Sequence, residues 1–465
     1  MIRDTRYNIM SQVKGLVIKA TLAIDAKDYA CAITLLNQAL DQKPLQPRAN
    51  FLLSVTRLRI ITTPRTSPAS FYLDPLLKAL KHSPSKPFLH YGVALVRSTL
   101  NDPNWLLDAI KTFTFSISQN NIPVLTSIAG LYRKHKKWHQ AIQCGVQLTT
   151  WDPSNLKARS GLGTCYRRQG NLLLAKEQYH YVLEALITES TNDPGDSALS
   201  IELIEHWYKS CGGIVAATST TSTMAPSSFV RGLYDGYAHK FDDHLLGKLQ
   251  YRTPLLLTTA LIEHSKESVA LSFQNICDLG CGTGLMLSAM LDAGIIDARH
   301  AVSIGIDLSS GMIEKAKEKN IYTDLRVGEM SEVLNVEKKY DLVCCCDVYP
   351  YVGDLNSSFE SIRSALVQKS KSSDESERRG YFCFSTEEWR DVKDVKDVKD
   401  DVTNEMTTES NGYVLNSTGR YLHRKRYVEE VAIKNHFDVL YLKSVVLRMN
   451  AGQPVHGLVG VLVTV

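Results

Sequence analysis

Two hydrophobic patterns divide the chain. Up to about residue 190, apolar residues recur with helical spacing, and the pattern itself repeats. The stretch 123–155 aligns with the residues after it at an offset of 34, which places Tyr132 over Tyr166 and Ala141 over Ala175. From about residue 270, short apolar runs alternate with helix-like stretches, which is typical of a parallel sheet with crossover helices. The sequence therefore predicts an all-helical part followed by an α/β part.

The repeating part has the small and aromatic positions that closely packed helix pairs need. Ala129 lies over Gly163 in the same alignment, and Pro153 follows the second helix of its pair. A degenerate copy runs through the segments HYGVALV and LLDAIKTFTFSI. One more copy is marked by residues at the positions of its second helix and closing turn: Ala32, Leu36, Ala39 and Pro44. This pattern resembles the tetratricopeptide repeat, so we predict a tetratricopeptide-like α-solenoid of about four repeats over residues 10–190. The alternative is an ordinary helical bundle.

The connection between the two parts is predicted over residues 191–228. It holds a helix-compatible stretch, SALSIELIEHWYKSC, and then the Ser/Thr-rich stretch AATSTTSTMAPSS, which favours a flexible linker. Two polar stretches, 369–380 and 391–410, are expected to be surface insertions.

A glycine-rich segment carries the strongest chemical signal. In NICDLGCGTG an apolar strand ends at Asp278, and glycines follow at every second position ahead of a helix. Such glycines allow a sharp turn and let a ligand approach the backbone. A second strand, VSIGID, ends in Asp307, where a carboxylate can bind both ribose hydroxyls. NAD is the competing ligand, but its fingerprint needs a third glycine where this chain has Leu285.

These segments resemble the class I S-adenosylmethionine-dependent methyltransferases over residues 229–465. The resemblance implies a Rossmann-like seven-stranded domain with S-adenosylmethionine as its cofactor and no metal. Asp278 would hold the amino group of the cofactor through the loop or a water, and Asp307 would bind its ribose. The glycines would lie under the methionine part of the cofactor, and the residues after β-strands 2 and 3 would contact its adenine. The further cofactor-binding candidates are Gly280, Cys281, Gly282, Gly284, Leu308, Met312, Glu329, Met330 and Asp347.

Two further segments are similar to one subgroup, bacterial-type methyltransferases with an N-terminal tetratricopeptide array. FVRGLYDGYAHKFDDHLLGKLQYRTPLLL would cap the cofactor, or else pack on the edge of the sheet; NGYVLNSTGRYLHRKRYVEEVA would lie on the cofactor side. The lid and substrate candidates that they supply are Tyr237, Phe241, His244, Arg420, Tyr421 and His423. The C-terminal segment is expected to form an antiparallel seventh strand. His436 stands where the subgroup has glycine, which leaves the end of the preceding helix open.

No catalytic residue is assigned from the sequence. The motif Asp/Asn-Pro-Pro-Tyr that marks nitrogen methylation is absent, and DVYPY only resembles it. The candidates are Asp347, Tyr349 and Tyr351, of which the tyrosines either shape the acceptor site or cover the strand end. Both a protein and a small molecule stay open as the methyl acceptor. The repeats favour a protein partner on their concave face.

The composition argues against several kinds of partner and location. The net charge of +4 and the even spread of Lys and Arg argue against a nucleic-acid partner. The ten cysteines form no CxxC pair, and no apolar run is long enough to span a membrane. A cytoplasmic methyltransferase with a protein-interaction module is the prediction, with mitochondrial import left open. The alternative is a scaffold or assembly factor that uses a methyltransferase fold without catalysis.

Overall fold

The structure is a computed structural model of the chain. It describes the following residues: 2–59, 68–192, 199–214, 223–265, 273–297, 299–334, 340–367, 379–390 and 412–465. The predicted insertion 391–410 and most of 369–380 lie outside the described residues. Contacts divide the chain into two compact units, Met1–Gln178 and Tyr179–Val465. Among the described helices, none combines the length and apolar character that a membrane span requires.

The first unit consists of helices in its described part. In chain order they are α1 (Ile2–Asp25), α2 (Tyr29–Gln42), α3 (Pro47–Arg59), α4 (Ala69–His82), α5 (Pro87–Thr99), α6 (Trp105–Ser118), α7 (Ile122–Lys134), α8 (Trp138–Trp151), α9 (Leu156–Arg168) and the start of α10 (Leu172–Asn192). From α1 to α9 each helix packs against the next, and α1, α3, α5 and α7 also stack on one another. This is the arrangement of a solenoid, in which a repeat contacts mainly its neighbours.

Small residues allow the close helix contacts. Ala32, Ala39 and Ala141 are each at most 2% exposed, and Leu36 is fully buried beside the first two of them. Some of the helices start at polar caps: the side chain of Asn121 accepts a hydrogen bond from Val124 N, and Asn155 caps α9 in the same way. The predicted tetratricopeptide-like solenoid is confirmed.

The helical unit has one pair more than the sequence indicated. The pair α3 and α4 was missed, because α3 begins at Pro47 and α5 at Pro87, which is 40 residues and not 34. A search for one fixed period overlooks a repeat whose helices are joined by a longer connection.

The second unit is built on a seven-stranded sheet in the order β3-β2-β1-β4-β5-β9-β8. Strands β1 to β5 are parallel, and β9 runs antiparallel between β5 and β8. The strands of the sheet are β1 (Asn275–Leu279), β2 (Val302–Asp307), β3 (Asp324–Val327), β4 (Leu342–Cys345), β5 (Tyr381–Glu387), β8 (Phe437–Asn450) and β9 (Gln453–Thr464). A separate hairpin pairs β6 (Tyr413–Leu415) with β7 (Tyr421–His423). The α/β prediction and the antiparallel last strand are confirmed.

Helices cover both faces of the sheet. The helices of the second unit are α11 (Ile201–Ser210), α12 (Ser227–Asp235), α13 (Phe241–Gly247), α14 (Thr253–His264), α15 (Leu285–Asp292), α16 (Ser310–Glu318), α17 (Ser331–Leu334), α18 (Asn356–Ala365) and α19 (Lys425–Lys434). The 3-10 helices are 238–240 and 349–351. Cys344 and Cys345 pack into the cores on opposite faces of the sheet, as expected for neighbouring residues of a strand buried on both sides.

The structure bears on two predictions about single segments, the end of helix α19 and the linker 191–228. Helix α19 ends normally although His436 replaces glycine, because His436 itself adopts the left-handed conformation with φ 58°. Within the predicted linker 191–228, helix α11 belongs to the second unit, where His206 Nε2 lies 3.1 Å from the carbonyl oxygen of Gly419. The predicted domain limits otherwise stay predictions.

Candidate functional site

A cavity of about 430 Å³ opens at the carboxyl ends of β1, β2, β3 and β4. Strand β1 has β2 on one side and β4 on the other, so the chain order reverses there. Ligands of open α/β sheets bind at such a switch point. The cavity therefore lies where the fold favours a binding site.

The turn between β1 and α15 has the conformation that its glycines predict. Gly280, Gly282 and Gly284 have φ values of 62°, 54° and 86°, in the left-handed region that favours glycine. A side chain at Gly280 would also clash, since its Cβ would lie 2.3 Å from Val348 Cγ2. Gly280, Cys281 and Gly282 line the cavity. Gly284, the N-cap of α15, does not; a Cβ there would face Tyr322 and Ile321.

Asp278 lies on the cavity wall with half of its carboxylate unpaired. The Tyr322 hydroxyl donates to Oδ2 at 2.6 Å. Oδ1 is buried and has no hydrogen-bond partner among the described residues. The pKa of Asp278 is raised to about 7, mainly by burial; the bond from Tyr322 lowers this pKa, and the charge of Asp307 raises it. A cationic group in the cavity would find an unused acceptor here.

Asp307 fixes the glycine turn from the end of β2. Its Oδ2 accepts from Gly282 N at 3.0 Å and its Oδ1 from Ser309 N at 2.8 Å. Burial raises its pKa, while these two backbone bonds lower it. A carboxylate has about four acceptor positions, so each oxygen of Asp307 keeps capacity for a ribose hydroxyl.

The predicted adenine contacts line one wall together. Leu308, Met312, Glu329 and Met330 all border the cavity. Glu329 also accepts a hydrogen bond from Ser227 Oγ of α12 at 3.1 Å. The structure thus brings the carboxyl ends of β2 and β3 together, as expected from the sequence.

The predicted lid lies over these loops. Tyr237 and Phe241 line the cavity. His244 does not, because its Nδ1 is hydrogen-bonded to the Tyr237 hydroxyl. Two lid acids that the sequence did not single out connect the lid to the turns below. Asp235 accepts from Ser309 Oγ at 2.6 Å, and Asp242 accepts from Thr283 Oγ1 at 2.5 Å.

The end of β4 carries Asp347 in a constrained conformation. Its φ is 58°, uncommon for a residue other than glycine. Asp347 N donates to Ser385 Oγ at 2.8 Å, and that hydroxyl donates back to Asp347 Oδ1 at 2.7 Å. Its Oδ2 lies 3.5 Å from Arg448 Nη1. Asp347 therefore has a fixed orientation on the cavity wall.

The two tyrosines of DVYPY have different places. Tyr351 lines the cavity, and its hydroxyl lies 3.0 Å from the hydroxyl of Tyr234. Tyr349 is fully buried in the core, against Phe359 and Phe384, with its hydroxyl on Ser358 Oγ. As a candidate catalytic residue Tyr349 is corrected, because its ring fills the space between the sheet and α18 and does not border the cavity.

The predicted substrate contacts around the β6–β7 hairpin also differ in whether they border the cavity. Arg420 lines the cavity, whereas Tyr421 and His423 do not. His423 is buried, with Thr386 Oγ1 at 2.7 Å from Nδ1 and the Gly353 carbonyl oxygen at 3.0 Å from Nε2. Burial lowers its pKa to about 4, so it stays neutral and joins β5 to the loop after β4. As substrate contacts, Tyr421 and His423 are corrected to structural residues.

Several cavity residues were missed from the sequence. Arg448 enters the cavity from β8 beside a register shift between Val446 and Arg448. A β-bulge of this kind redirects a side chain, and no residue pattern in β8 signals it. The other missed residues include Thr283, next to the recognised glycines, and Tyr234 and Tyr251. The amphipathic lid segment was a signal for Tyr234, which precedes Tyr237 by one helical turn.

Comparisons with known proteins agree with this geometry. Residues 276–369 match a protein family described as a methyltransferase domain. The second unit has a class I methyltransferase fold. A protein of Invertebrate iridescent virus 6 named as a methyltransferase, 235L, is 31% identical over 103 residues, which cover 22% of this chain and 36% of that protein. The match therefore spans about a third of the viral protein.

Solved structures resemble each unit at low identity. An S-adenosylmethionine-dependent methyltransferase from Clostridium acetobutylicum is 16% identical and covers 50% of this chain and 99% of its own, with a TM-score of 0.33. A tetratricopeptide protein of Thermus thermophilus, TTC0263, is 17% identical and covers 37% of this chain and 90% of its own, with a TM-score of 0.30. Similarity at this level says nothing about substrates.

Proposed function

We propose that the second unit binds S-adenosylmethionine and transfers its methyl group to an acceptor bound in the same cavity. The observation that carries the proposal is the cavity at the β1 switch point, with the glycine turn and the two acids, Asp278 and Asp307, on its wall. The match of residues 276–369 to a methyltransferase domain supports it. The acceptor and the activity of the whole chain are part of the proposal.

The residues present fit this cofactor. The buried Oδ1 of Asp278 lacks a partner among the described residues and suits the cationic amino group of the methionine part. The turn at Gly280 and Gly282 leaves no Cβ between the backbone and the ligand. Asp307 keeps acceptor capacity for ribose hydroxyls, and Leu308 and Met312 offer apolar contacts for a flat base.

The cofactor, when bound, supplies a methyl group on a positively charged sulfur. The contribution of the chain is to align the acceptor with that methyl and to exclude water, effects that can lower a barrier by about 7–11 kcal/mol. Burial raises the pKa values of Tyr234 and Tyr251 well above that of a free tyrosine. Their hydroxyls therefore stay protonated and serve to orient the acceptor.

Binding of S-adenosylhomocysteine to the full chain tests the proposal. Calorimetric titration should give a dissociation constant in the micromolar range, on the order of −8 kcal/mol. NADH is the control ligand and should not bind. If neither ligand binds, the alternative of a scaffold protein with a methyltransferase fold takes the place of this proposal.

A variant at Asp307 tests the cofactor orientation. Asp307→Ala should weaken the binding of S-adenosylhomocysteine by about 1.5–3 kcal/mol, because it removes a charged hydrogen-bond acceptor and releases Gly282 N. The matched control is Asp324→Ala on β3, where the carboxylate pairs with Arg326 and does not border the cavity. Equal affinities in the two variants would contradict the ribose assignment.

The helical unit is proposed to bind a protein partner. Support comes from its architecture, since stacked helix pairs form extended surfaces that hold peptides or partner helices. Either the partner is the methyl acceptor, or it brings the enzyme to the place where a small acceptor is used.

A further inference from the structure

Two arginines meet at the acceptor end of the cavity. Arg420 precedes β7 and Arg448 lies on β8, and both border the cavity. Their side chains are 30% and 10% exposed. Guanidinium groups are rarely buried unless an anion pairs with them, so the groups around them decide what this end can bind.

The carboxylate of Glu387, which does not border the cavity, accepts hydrogen bonds from both arginines. Arg420 Nη1 donates to Glu387 Oε1 at 2.7 Å, and Arg448 Nη2 donates to the same oxygen. Glu387 ends β5, is 6% exposed and does not border the cavity. A guanidinium has five N–H donors, and the bond to Glu387 uses one of those of Arg420. The two guanidinium groups are thus fixed side by side with donors left over.

The charged groups at this end of the cavity are two guanidiniums and two carboxylates. Arg420, Arg448 and Asp347 border the cavity, and Glu387 lies behind the two arginines. One oxygen of Asp347 accepts from Ser385, and the other lies 3.5 Å from Arg448. With Glu387 counted, the formal charges of these four groups balance, so the wall offers an anionic ligand the remaining guanidinium N–H donors of Arg420 and Arg448.

The neutral groups nearby are also donors. The Tyr351 ring lies under the Arg420 guanidinium at 5.8 Å, and its hydroxyl meets that of Tyr234. The Tyr251 hydroxyl lies 3.2 Å from Cys346 Sγ on the same side of the cavity. Burial keeps Tyr234 and Tyr251 protonated. Two guanidiniums and three phenols suit an anionic oxygen ligand.

We propose that the acceptor substrate is a small organic acid and that Arg420 and Arg448 bind its carboxylate. The inference rests on the proposed function and names the substrate class of the same site. A carboxylate has one negative charge and two oxygens that match guanidinium donors. A phosphate monoester has almost two negative charges, so Asp347 on the same wall would repel it more strongly than it repels a carboxylate.

The test compares acids with their amides on the unaltered full chain. Acetate, butyrate, hexanoate and benzoate are titrated calorimetrically, each with its amide, after saturation with S-adenosylhomocysteine. At least one acid should bind about tenfold or more tighter than its amide, because charged hydrogen bonds are stronger than neutral ones. Phenyl phosphate should bind more weakly than benzoate. The inference is overturned if none of the acids binds, if the amides bind equally well, or if phenyl phosphate binds best.

Variants assign the preference to the arginines. Arg420→Gln should remove the preference for acid over amide and retain binding of S-adenosylhomocysteine, since Arg448 still pairs with Glu387. Arg426→Gln is the matched control, because Arg426 is exposed on α19 and pairs with Glu430. A preserved preference in Arg420→Gln would overturn the assignment. A chain that binds acids but not S-adenosylhomocysteine would contradict the proposed function alone.

Discussion

At the scale of single residues, Asp278 combines two opposing demands. Its carboxyl is buried beside Asp307, which favours the neutral form and raises its pKa to about 7. The amino group of the proposed cofactor would favour the ionised form. A cation that binds there must therefore compete with a proton in the range of neutral pH.

This competition predicts a pH dependence. Below pH 7 most Asp278 carboxyls of the free protein are protonated, and binding has to displace that proton. The affinity for S-adenosylhomocysteine should fall as the pH falls, by up to about tenfold per pH unit below 7. Calorimetric titrations at about pH 6 and about pH 8 measure the effect.

Asp278→Asn provides the control for this prediction. Its side chain keeps the shape and cannot ionise, so binding should be weaker at high pH and nearly independent of pH. The bond from Tyr322 persists, because the amide oxygen can accept it. Equal affinity of the unaltered protein at both pH values would contradict the role of Asp278.

Sequence reasoning reached the residues of the cofactor end and missed many at the acceptor end. The glycine turn, Asp278 and Asp307 follow from short local motifs whose spacing sets their geometry. Arg448 depends on a bulge in β8 and on pairing with β9, which are long-range features. The sequence could not distinguish the positions of the Tyr349 and Tyr351 side chains, since both residues lie in one 3-10 helix and differ only in the residues that they contact.

At the scale of elements, the predicted lid is joined to the loops beneath it by a hydrogen bond and an ion pair. Asp242 of α13 accepts from Thr283 Oγ1, and its second oxygen pairs with Lys319 Nζ at 3.0 Å. Thr283 belongs to the glycine turn, and Lys319 follows α16. One side chain of the lid thus connects two loops beneath it.

Removing this connection should speed the release of ligand. Asp242→Ala should raise the dissociation rate of S-adenosylhomocysteine by about threefold to tenfold, because affinity changes within one site appear mostly in that rate. Stopped-flow displacement measures it. Asp243→Ala is the matched control, since Asp243 is the exposed neighbour on the same helix. Identical rates in the two variants would show that the lid is held by its apolar contacts.

The element order was accessible from the sequence because each periodic signal is local. Alternating apolar runs and helices predicted the sheet, and the repeat of 34 residues predicted the pairs α7–α8 and α9–α10. The pair α3–α4 breaks the period and was missed. A search for a fixed period finds repeats whose connections have the same length, whereas stacked helix pairs can be joined by connections of different length.

At the scale of the whole molecule, helix α11 is the element whose membership matters. The sequence placed it in a linker, since a short helix with one apolar face does not show what covers that face. In the structure Trp207 packs on Phe229, with ring centroids 4.9 Å apart, and a Cβ on Gly419 would lie 2.5 Å from its ring. Phe229 in turn neighbours Tyr351 of the cavity. Helix α11 therefore supports the lid.

Two fragments of the chain test this assignment. A fragment that begins at Tyr179 keeps α11, and one that begins at residue 216 lacks it. The shorter fragment should melt lower by roughly 5 °C, because it loses the Trp207 packing and the His206 contact with Gly419. Differential scanning calorimetry measures both, and Trp207→Ala in the longer fragment should reproduce most of the difference. Since Phe229 leads to the cavity, the shorter fragment should also bind S-adenosylhomocysteine more weakly. Equal melting temperatures would mean that α11 contributes no stability to the second unit, and the predicted linker would then extend across it.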